Sequence, residues 1–332
     1  MKKLNVCPST LQKGYDTYSP AARKALFDGR EVSHIFAGPS PDADSPEALD
    51  AIRNVGRISL SGAQPKFSVV IDVFDTLRYT REREQGLFIL KPRPTGYHII
   101  NREYCAANEH VTMQIASQVY GIETAANGLC FFDNGEPAYI TRRFDVHNRG
   151  KYKQEDFAAL LGYTKDNAGA NYKYDKASYE ECAGIIHRYV KAALVDIQRF
   201  FRLILFNFVT SNDDAHLKNF SLIEYGGEYR LSPAYDLVNT ALQLREPRIF
   251  AFDKGLFREG MAFSDTRTIR RADFEEFGRR IGLPEKVVRK EIELFLSDQP
   301  LTYELLERSF LSKELKKQYR QTFDYRRRML GF

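Results

Sequence analysis

Between residues 196 and 209 the chain is apolar on most faces of a helix, and a polar loop, residues 211–219, follows at once. A helix that is hydrophobic nearly all round has to be enclosed by other elements. The fold must therefore be built around it, and the loop at its end must stand on a buried support. Of the 332 residues 43% are apolar, enough to enclose such a helix, and the length suggests two lobes rather than one.

The half that precedes this helix reads differently. Residues 1–56 form an irregular leading segment that ends in a Pro-, Ser- and Asp-rich stretch, 38–45, expected to be an exposed loop. Residues 58–60 and 67–74 have strand character on either side of a small-residue loop, and 87–90 is a short strand that ends on Lys91. A helix is expected over about 102–120, with Gly121 as its C-cap. Residues 129–132 and 138–144 flank Asp133-Asn134-Gly135, and Asn-Gly favours the positive-φ turn that strand twist requires, so this is a hairpin. Past Asp145 the pattern turns helical, notably 178–195 and 196–209. A second hairpin, 220–225 and 228–231 around Gly226-Gly227, delivers Asp236 back toward the polar loop. Residues 271–332 are mostly helical with charged faces. The expected architecture is α+β and bilobal, with a small β-rich N-lobe (1–145) and a large helical C-lobe (146–332).

Chemistry concentrates in the loop, Asn212-Asp213-Asp214-Ala215-His216-Leu217-Lys218-Asn219. Phosphoryl transfer needs a carboxylate to orient or deprotonate the nucleophile and oxygen ligands to hold Mg²⁺ on the phosphates. In the protein-kinase solution an Asp precedes a metal-binding Asn by five residues, and a later Asp completes the metal site. Asp214, Asn219 and Asp236 stand in that order: Asp214 as candidate base, Asn219 and Asp236 as candidate magnesium ligands, with Lys218 or His216 near the transferring phosphate. Asp213, six residues before Asn219, is the weaker candidate. Asp and Asn also cap turns between a helix and a strand, so the string alone is equally compatible with a purely structural loop.

Upstream residues shift that balance. Lys91 ends a strand and Glu109 lies in the helix that follows, the positions of the phosphate-pairing lysine and its glutamate partner in a kinase. The bland alternative is a strand-end lysine and a solvated glutamate. Ser59-Leu60-Ser61-Gly62-Ala63-Gln64-Pro65-Lys66 places small residues between two strands, where backbone N–H groups can approach phosphates, although a plain turn would look the same. Tyr139-Ile140-Thr141-Arg142-Arg143-Phe144-Asp145 falls where the sheet hands over to the helical half, the place of an adenine-contacting hinge, yet in isolation it reads as an edge strand.

Six strings in one order, SLSGAQPK (59–66), FILKP (88–92), NEH (108–110), RRFD (142–145), NDDAHLKNFSL (212–222) and LSPAYD (231–236), resemble the HipA-like serine/threonine kinase toxins. The resemblance covers about 56–240 well and the C-terminal helices more loosely. It implies a kinase fold with an unusually helical C-lobe and a serine/threonine protein kinase that uses ATP and Mg²⁺. It assigns Ser61, Gly62, Ala63, Gln64 and Lys66 to the phosphate loop, Lys91 to the ATP phosphates, Glu109 to its ion pair, Asp214 to catalysis, and Asn219 and Asp236 to magnesium. It makes Ser59 the autophosphorylation position and Ser61 a second acceptor. It also implies a toxin-antitoxin system in which an aminoacyl-tRNA synthetase or another translation factor is phosphorylated. About 56 residues precede the phosphate loop, where full-length HipA proteins carry a further subdomain. The short HipT-like branch, which pairs with a small subdomain-like protein and a helix-turn-helix antitoxin, is the better match.

Composition limits the alternatives. Four cysteines stand singly with no CxxC pair, which fits a reduced cytoplasm, and no apolar run approaches membrane-spanning length. Lys+Arg exceed Asp+Glu by 49 − 44 = 5, a solvated surface or a modest affinity for phosphate-bearing partners. No concentrated basic helix argues for direct DNA contact, so DNA enters only through the antitoxin. A small-molecule or lipid kinase of related fold stays open, as does a catalytically silent nucleotide-binding subunit of a repressor complex. The intact Lys91, Asp214, Asn219 and Asp236 weigh against silence.

Overall fold

Five strands run antiparallel to their neighbours between residues 67 and 142: β1 (Phe67–Ile71), β2 (Leu77–Tyr79), β3 (Phe88–Lys91), β4 (Asn127–Phe131) and β5 (Pro137–Arg142), in the order β2-β1-β3-β5-β4. The computed structural model describes residues 4–41, 65–96, 98–147, 150–262 and 268–331. The strand expected at 58–60 and the loop at 61–64 lie outside the described residues.

The β4–β5 turn is where Asn-Gly placed it, with Gly135 at φ +82 and the Asn134 side chain accepting the Glu136 N–H at 2.9 Å. The single strand expected over 67–74 is instead two. Asp72 Oδ1 accepts the N–H groups of Phe74 and Thr76 at 2.8 and 3.0 Å, a side-chain turn that ends β1 at Ile71 and starts β2 at Leu77.

The leading segment is more ordered than its sequence suggests. Ser19 caps α1 (Pro20–Phe27), which has Pro at its start and buries Ala22, Leu26 and Phe27. Phe27 packs on Tyr18 and Phe88, joining α1 to the sheet. The chain then reaches both sheet edges in four residues. Phe131 N–H donates to His34 O and Phe36 N–H to Phe131 O, both at 2.9 Å, while Ala37 N–H donates to Leu77 O at 2.8 Å. Since β4 and β2 are the two edges, one segment occupies backbone groups on each that would otherwise invite intermolecular pairing. In the described part of the 38–45 stretch, Ser40 is buried and its hydroxyl meets Glu136 at 3.0 Å.

Helix α2 (Cys105–Gln118) lies across the sheet with twelve of its residues buried, from Cys105 to Ala116. Five of them are polar and three are alanines, and each polar one finds a partner. Asn108 exchanges hydrogen bonds with the Asn239 backbone, Thr112 meets Tyr319, and Gln114 donates to Asn127 at 2.9 Å. Gly121, at φ +59, follows its end, with Ile122 N–H reaching back to Ala116 O at 3.0 Å.

In the second half a capping box of Ser178 and Glu181 starts α3 (Tyr179–Tyr189), and α4 (Ala193–Val209) is the enclosed helix. Phe200, Phe201, Leu205 and Phe206 on α4 are fully buried. The strands β6 (Gln154–Asp156), β7 (Ser221–Tyr225) and β8 (Glu228–Leu231) form a sheet of order β8-β7-β6. Helices α5 (Arg271–Arg280), α6 (Glu285–Leu296), α7 (Pro300–Arg308) and α8 (Lys313–Leu330) complete the chain. Two apolar clusters result, one between α1 and the five-stranded sheet, the larger around α4. All four cysteines are buried and free, and among the described residues no helix is long and apolar enough to cross a membrane.

His110 ties α2 to the leading segment by donating from Nε2 to Ser9 O at 2.7 Å, and burial pushes its pKa down to about 4. A neutral imidazole with a depressed folded-state pKa means that the unfolded chain binds the extra proton between about pH 6.5 and 4, so stability falls as pH falls through that window. We expect the wild type to lose roughly 2 kcal/mol more than His110→Gln between pH 7 and pH 5, measured by urea denaturation at both pH values.

Candidate active site

Asp236 is brought into the site by a well-tied approach. Ala125 N–H donates to Ala234 O at 2.9 Å and Ala234 N–H to Glu123 O at 2.8 Å, so the segment leaving β8 is held against the connection that follows α2. The Tyr235 hydroxyl donates to Lys218 O at 3.0 Å and also meets Ser221 Oγ. Asp236 itself sits at φ +57, an uncommon conformation for a non-glycine residue and one that tends to persist where surrounding contacts fix it.

Its carboxylate receives two lysines. Lys91, 3% exposed at the end of β3, bridges Glu109 Oε1 on α2 at 2.6 Å and Asp236 Oδ1, and Lys66 reaches Asp236 Oδ2 at 3.0 Å. Burial opposes the charge on Asp236, yet the Lys66 and Lys91 ammoniums hold its carboxyl far below the usual range. Burial likewise works against the Lys91 charge, but Asp236 and Glu109 keep it protonated. Glu109 is pushed up by burial, with Lys91 pulling the other way. With all four ionised the cluster is neutral, which is what permits so many charges in a buried place.

The polar loop 211–219 stands on the end of α4. Asn212 N–H and Nδ2 both donate to Asn207, at 2.8 and 2.9 Å, and Ser211 takes φ +56 to make the turn. Asp213 faces inward, its N–H on Thr240 Oγ1 at 3.3 Å and its Oδ2 accepting the Arg248 N–H. Asp214 faces outward, its side chain half exposed, with Oδ1 accepting the Tyr174 hydroxyl at 2.6 Å. His216 is buried edge-on to Tyr174 and burial lowers its pKa to about 4, so it is neutral and carries no charge for a phosphate. The Lys218 ammonium rests 3.4 Å from Asp156 at the end of β6.

The structure thus brings Lys66, Lys91, Glu109 and Asp236 into direct contact, and it places Asp214, His216, Lys218 and Asn219 on one loop beside them. Arg142, Arg143 and Phe144 do not join that cluster. Arg142 turns to Asp28 beyond α1, with bonds of 2.7 and 2.8 Å, Arg143 pairs with Asp145, and Phe144 packs toward Tyr235 with ring centroids 5.8 Å apart. Ser59, Ser61, Gly62, Ala63 and Gln64 lie outside the described residues. Two residues the sequence did not flag are here as well. Tyr174 touches Asp214, and Lys173 lies over the Tyr174 ring at 4.8 Å, its pKa lowered by burial against the pull of Asp214. Neither belongs to a spaced motif that sequence could reveal.

The donor set suits magnesium. No group of three His, Cys, Asp or Glu side chains among the described residues forms a metal cage of its own. Asp236 offers a carboxylate, and the Asn219 side chain makes no hydrogen bond to another described residue. Mg²⁺ takes one or two such oxygens and completes its shell with phosphate and water. A cavity of about 1060 Å³ lies elsewhere, between the leading segment, the β4–β5 turn and the α7–α8 corner, and shares no lining residue with this constellation.

Residues 58–300 match the HipA-like C-terminal domain. A Haemophilus influenzae protein named "Putative kinase" is 30% identical over 76% of this chain and 76% of its own length. Two similarly named Sinorhizobium fredii proteins are 29% and 27% identical, and the match spans about half of each, 49% and 52%. Among solved structures, HipA from the Shewanella oneidensis complex of HipA, HipB and operator DNA superposes with a TM-score of 0.65 at 20% identity, over 83% of this chain and 66% of that one. The Helicobacter pylori proinflammatory kinase CtkA superposes at 0.50 and 13% identity, over 80% of this chain and 90% of that one. The α+β fold, a β-sheet N-terminal region and a helical C-terminal region, is therefore that of these kinase structures.

Removing Lys91 leaves Glu109 buried without its cation. Lys91→Met is expected to destabilise the chain by roughly 3 kcal/mol or more. Lys91→Met with Glu109→Gln should recover much of that loss, as read from urea midpoints.

Proposed function

We propose, from the premise that this chain belongs to the HipA-like C-terminal domain family, that it is an ATP- and magnesium-dependent serine/threonine protein kinase. The observation that carries the reading is Lys91, which joins a buried helix glutamate to the aspartate that follows the second hairpin. Bound as its magnesium complex, ATP supplies the phosphoryl group and the metal offsets its charge. Asp236 and Asn219 hold the metal through oxygen. Lys91 and Lys66 meet the phosphates with ammonium groups, and Lys218 stands by the transferring group. Phe144 and the backbone that leads out of β5 take the adenine. Asp214, open to solvent, receives the proton of the acceptor hydroxyl.

The finer reading is a toxin of the short HipT-like branch, supported by the Ser59-x-Ser61 pattern ahead of Lys66. Its substrate is a protein of translation, an aminoacyl-tRNA synthetase in the first instance. The related Shewanella HipA was solved with HipB and operator DNA, which supports a helix-turn-helix antitoxin as partner, with DNA reached through it and a small subdomain-like antitoxin alongside. Phosphate on Ser59 or Ser61 would set negative charge where the ATP phosphates must lie, disfavouring nucleotide and limiting the toxin.

Asp214→Asn is expected to lower transfer of labelled γ-phosphate to protein in a cell extract by about 10²- to 10⁴-fold while leaving nucleotide affinity within a few-fold. Label of unchanged intensity in the mutant would show that another group is the base.

A further inference from the structure

The Tyr174 phenol donates to Asp214 Oδ1 at 2.6 Å, which is the hydrogen bond that an acceptor hydroxyl must make before it gives up its proton. We propose that Tyr174 occupies the acceptor-hydroxyl position of the site, so that a serine or threonine hydroxyl has to displace it to reach the carboxylate; the inference rests on Asp214 being the base.

No other described donor competes for that oxygen at hydrogen-bond distance. His216 Nε2, the neighbouring candidate, is 3.9 Å away. The Asp214 side chain is 50% exposed, so its carboxylate is open to an incoming acceptor while Tyr174 holds Oδ1. Nor is Tyr174 needed to set the loop. Asn212 is fixed on Asn207, and Asp213 is fixed on Thr240 and Arg248, directly before Asp214. A brace would be expected among such buried contacts.

Tyr174 comes instead from a partly buried strap, whose Tyr172 and Tyr174 rings pack against the larger cluster and whose Tyr174 carbonyl accepts the Asp253 N–H at 3.1 Å. It lies on the one-turn helix Tyr172–Asp175, preceded by the one-turn helix Lys165–Ala168, and neither contains a fully buried residue. Gly162 at φ +73 and Gly169 at φ +87 flank the first of them. One-turn helices without a fully buried residue open at a smaller free-energy cost than the core helices, so the strap can yield to a protein acceptor. Burial, then the neighbouring Asp214 charge, raises the pKa of the phenol, so it stays a donor.

While the phenol is in place it also keeps water off Oδ1 of Asp214. In the absence of an acceptor, water is the alternative nucleophile: its oxygen bonds to the γ-phosphorus, the bond to the bridging oxygen of ADP breaks, and its proton passes to Asp214. Steady-state hydrolysis of magnesium ATP by the full chain, with no protein acceptor, therefore reads the plug directly. Tyr174→Phe keeps the ring and removes the hydroxyl, Tyr174→Ala clears the position, and thermal melts check that both fold.

A hydrogen bond to a carboxylate is strong enough that its loss should raise hydrolysis roughly tenfold, with KM for ATP unchanged and the gain abolished when Asp214→Asn is added. A lower kcat at unchanged KM would instead make Tyr174 a positioning residue for the base and overturn the proposal, as would an unchanged rate. Asp214→Asn alone separates the two claims. If it hydrolyses ATP as fast as the wild type, the assignment of the base has failed and the plug falls with it. If it is slower, only the Tyr174 variants decide.

Discussion

Everything in the site depends on one buried ammonium. Lys91 has carboxylates from two elements around it, Glu109 from α2 and Asp236 from the segment after β8. An unpaired charge at that depth would be prohibitive, so the three residues have to assemble together. That requirement fixes how β3, α2 and the segment that follows β8 sit relative to one another. The Ala234 contacts with Glu123 and Ala125 act in the same direction, tying the Asp236 segment to the chain that follows α2.

Helix α2 illustrates why only part of this was legible in the sequence. Its string Cys105-Ala-Ala-Asn-Glu-His-Val-Thr-Met-Gln carries no clear apolar stripe, so Glu109 could as well be solvated. The helix is buried because Asn108, Glu109, His110, Thr112 and Gln114 each find a polar partner far away in sequence. Periodicity reports the hydrophobic part of burial and is silent about polar complementarity. By contrast α4, apolar almost all round, and the Asn-Gly and Gly-Gly hairpins were legible, because their signals are local.

The same division runs through the loop. Spacing alone ranked Asp214 above Asp213, and the structure turns Asp213 inward onto Thr240 and Arg248 while Asp214 opens outward. Tyr174 was invisible, since its role comes from a contact forty residues distant rather than from any motif. The leading segment looks irregular in sequence for a related reason. Residues 34–37 have little strand pattern, and they are ordered by the two sheet edges they close.

A crystal structure with magnesium and a non-hydrolysable ATP analogue tests the central assignment most directly. The analogue's phosphates are expected on Lys91 and Lys66, with Lys91 still bonded to Glu109 and Asp236 released from Lys66 to hold the metal together with Asn219. Nucleotide bound in the cavity between the leading segment and the α7–α8 corner, with the Lys66–Asp236–Lys91 contacts unbroken, would contradict that assignment.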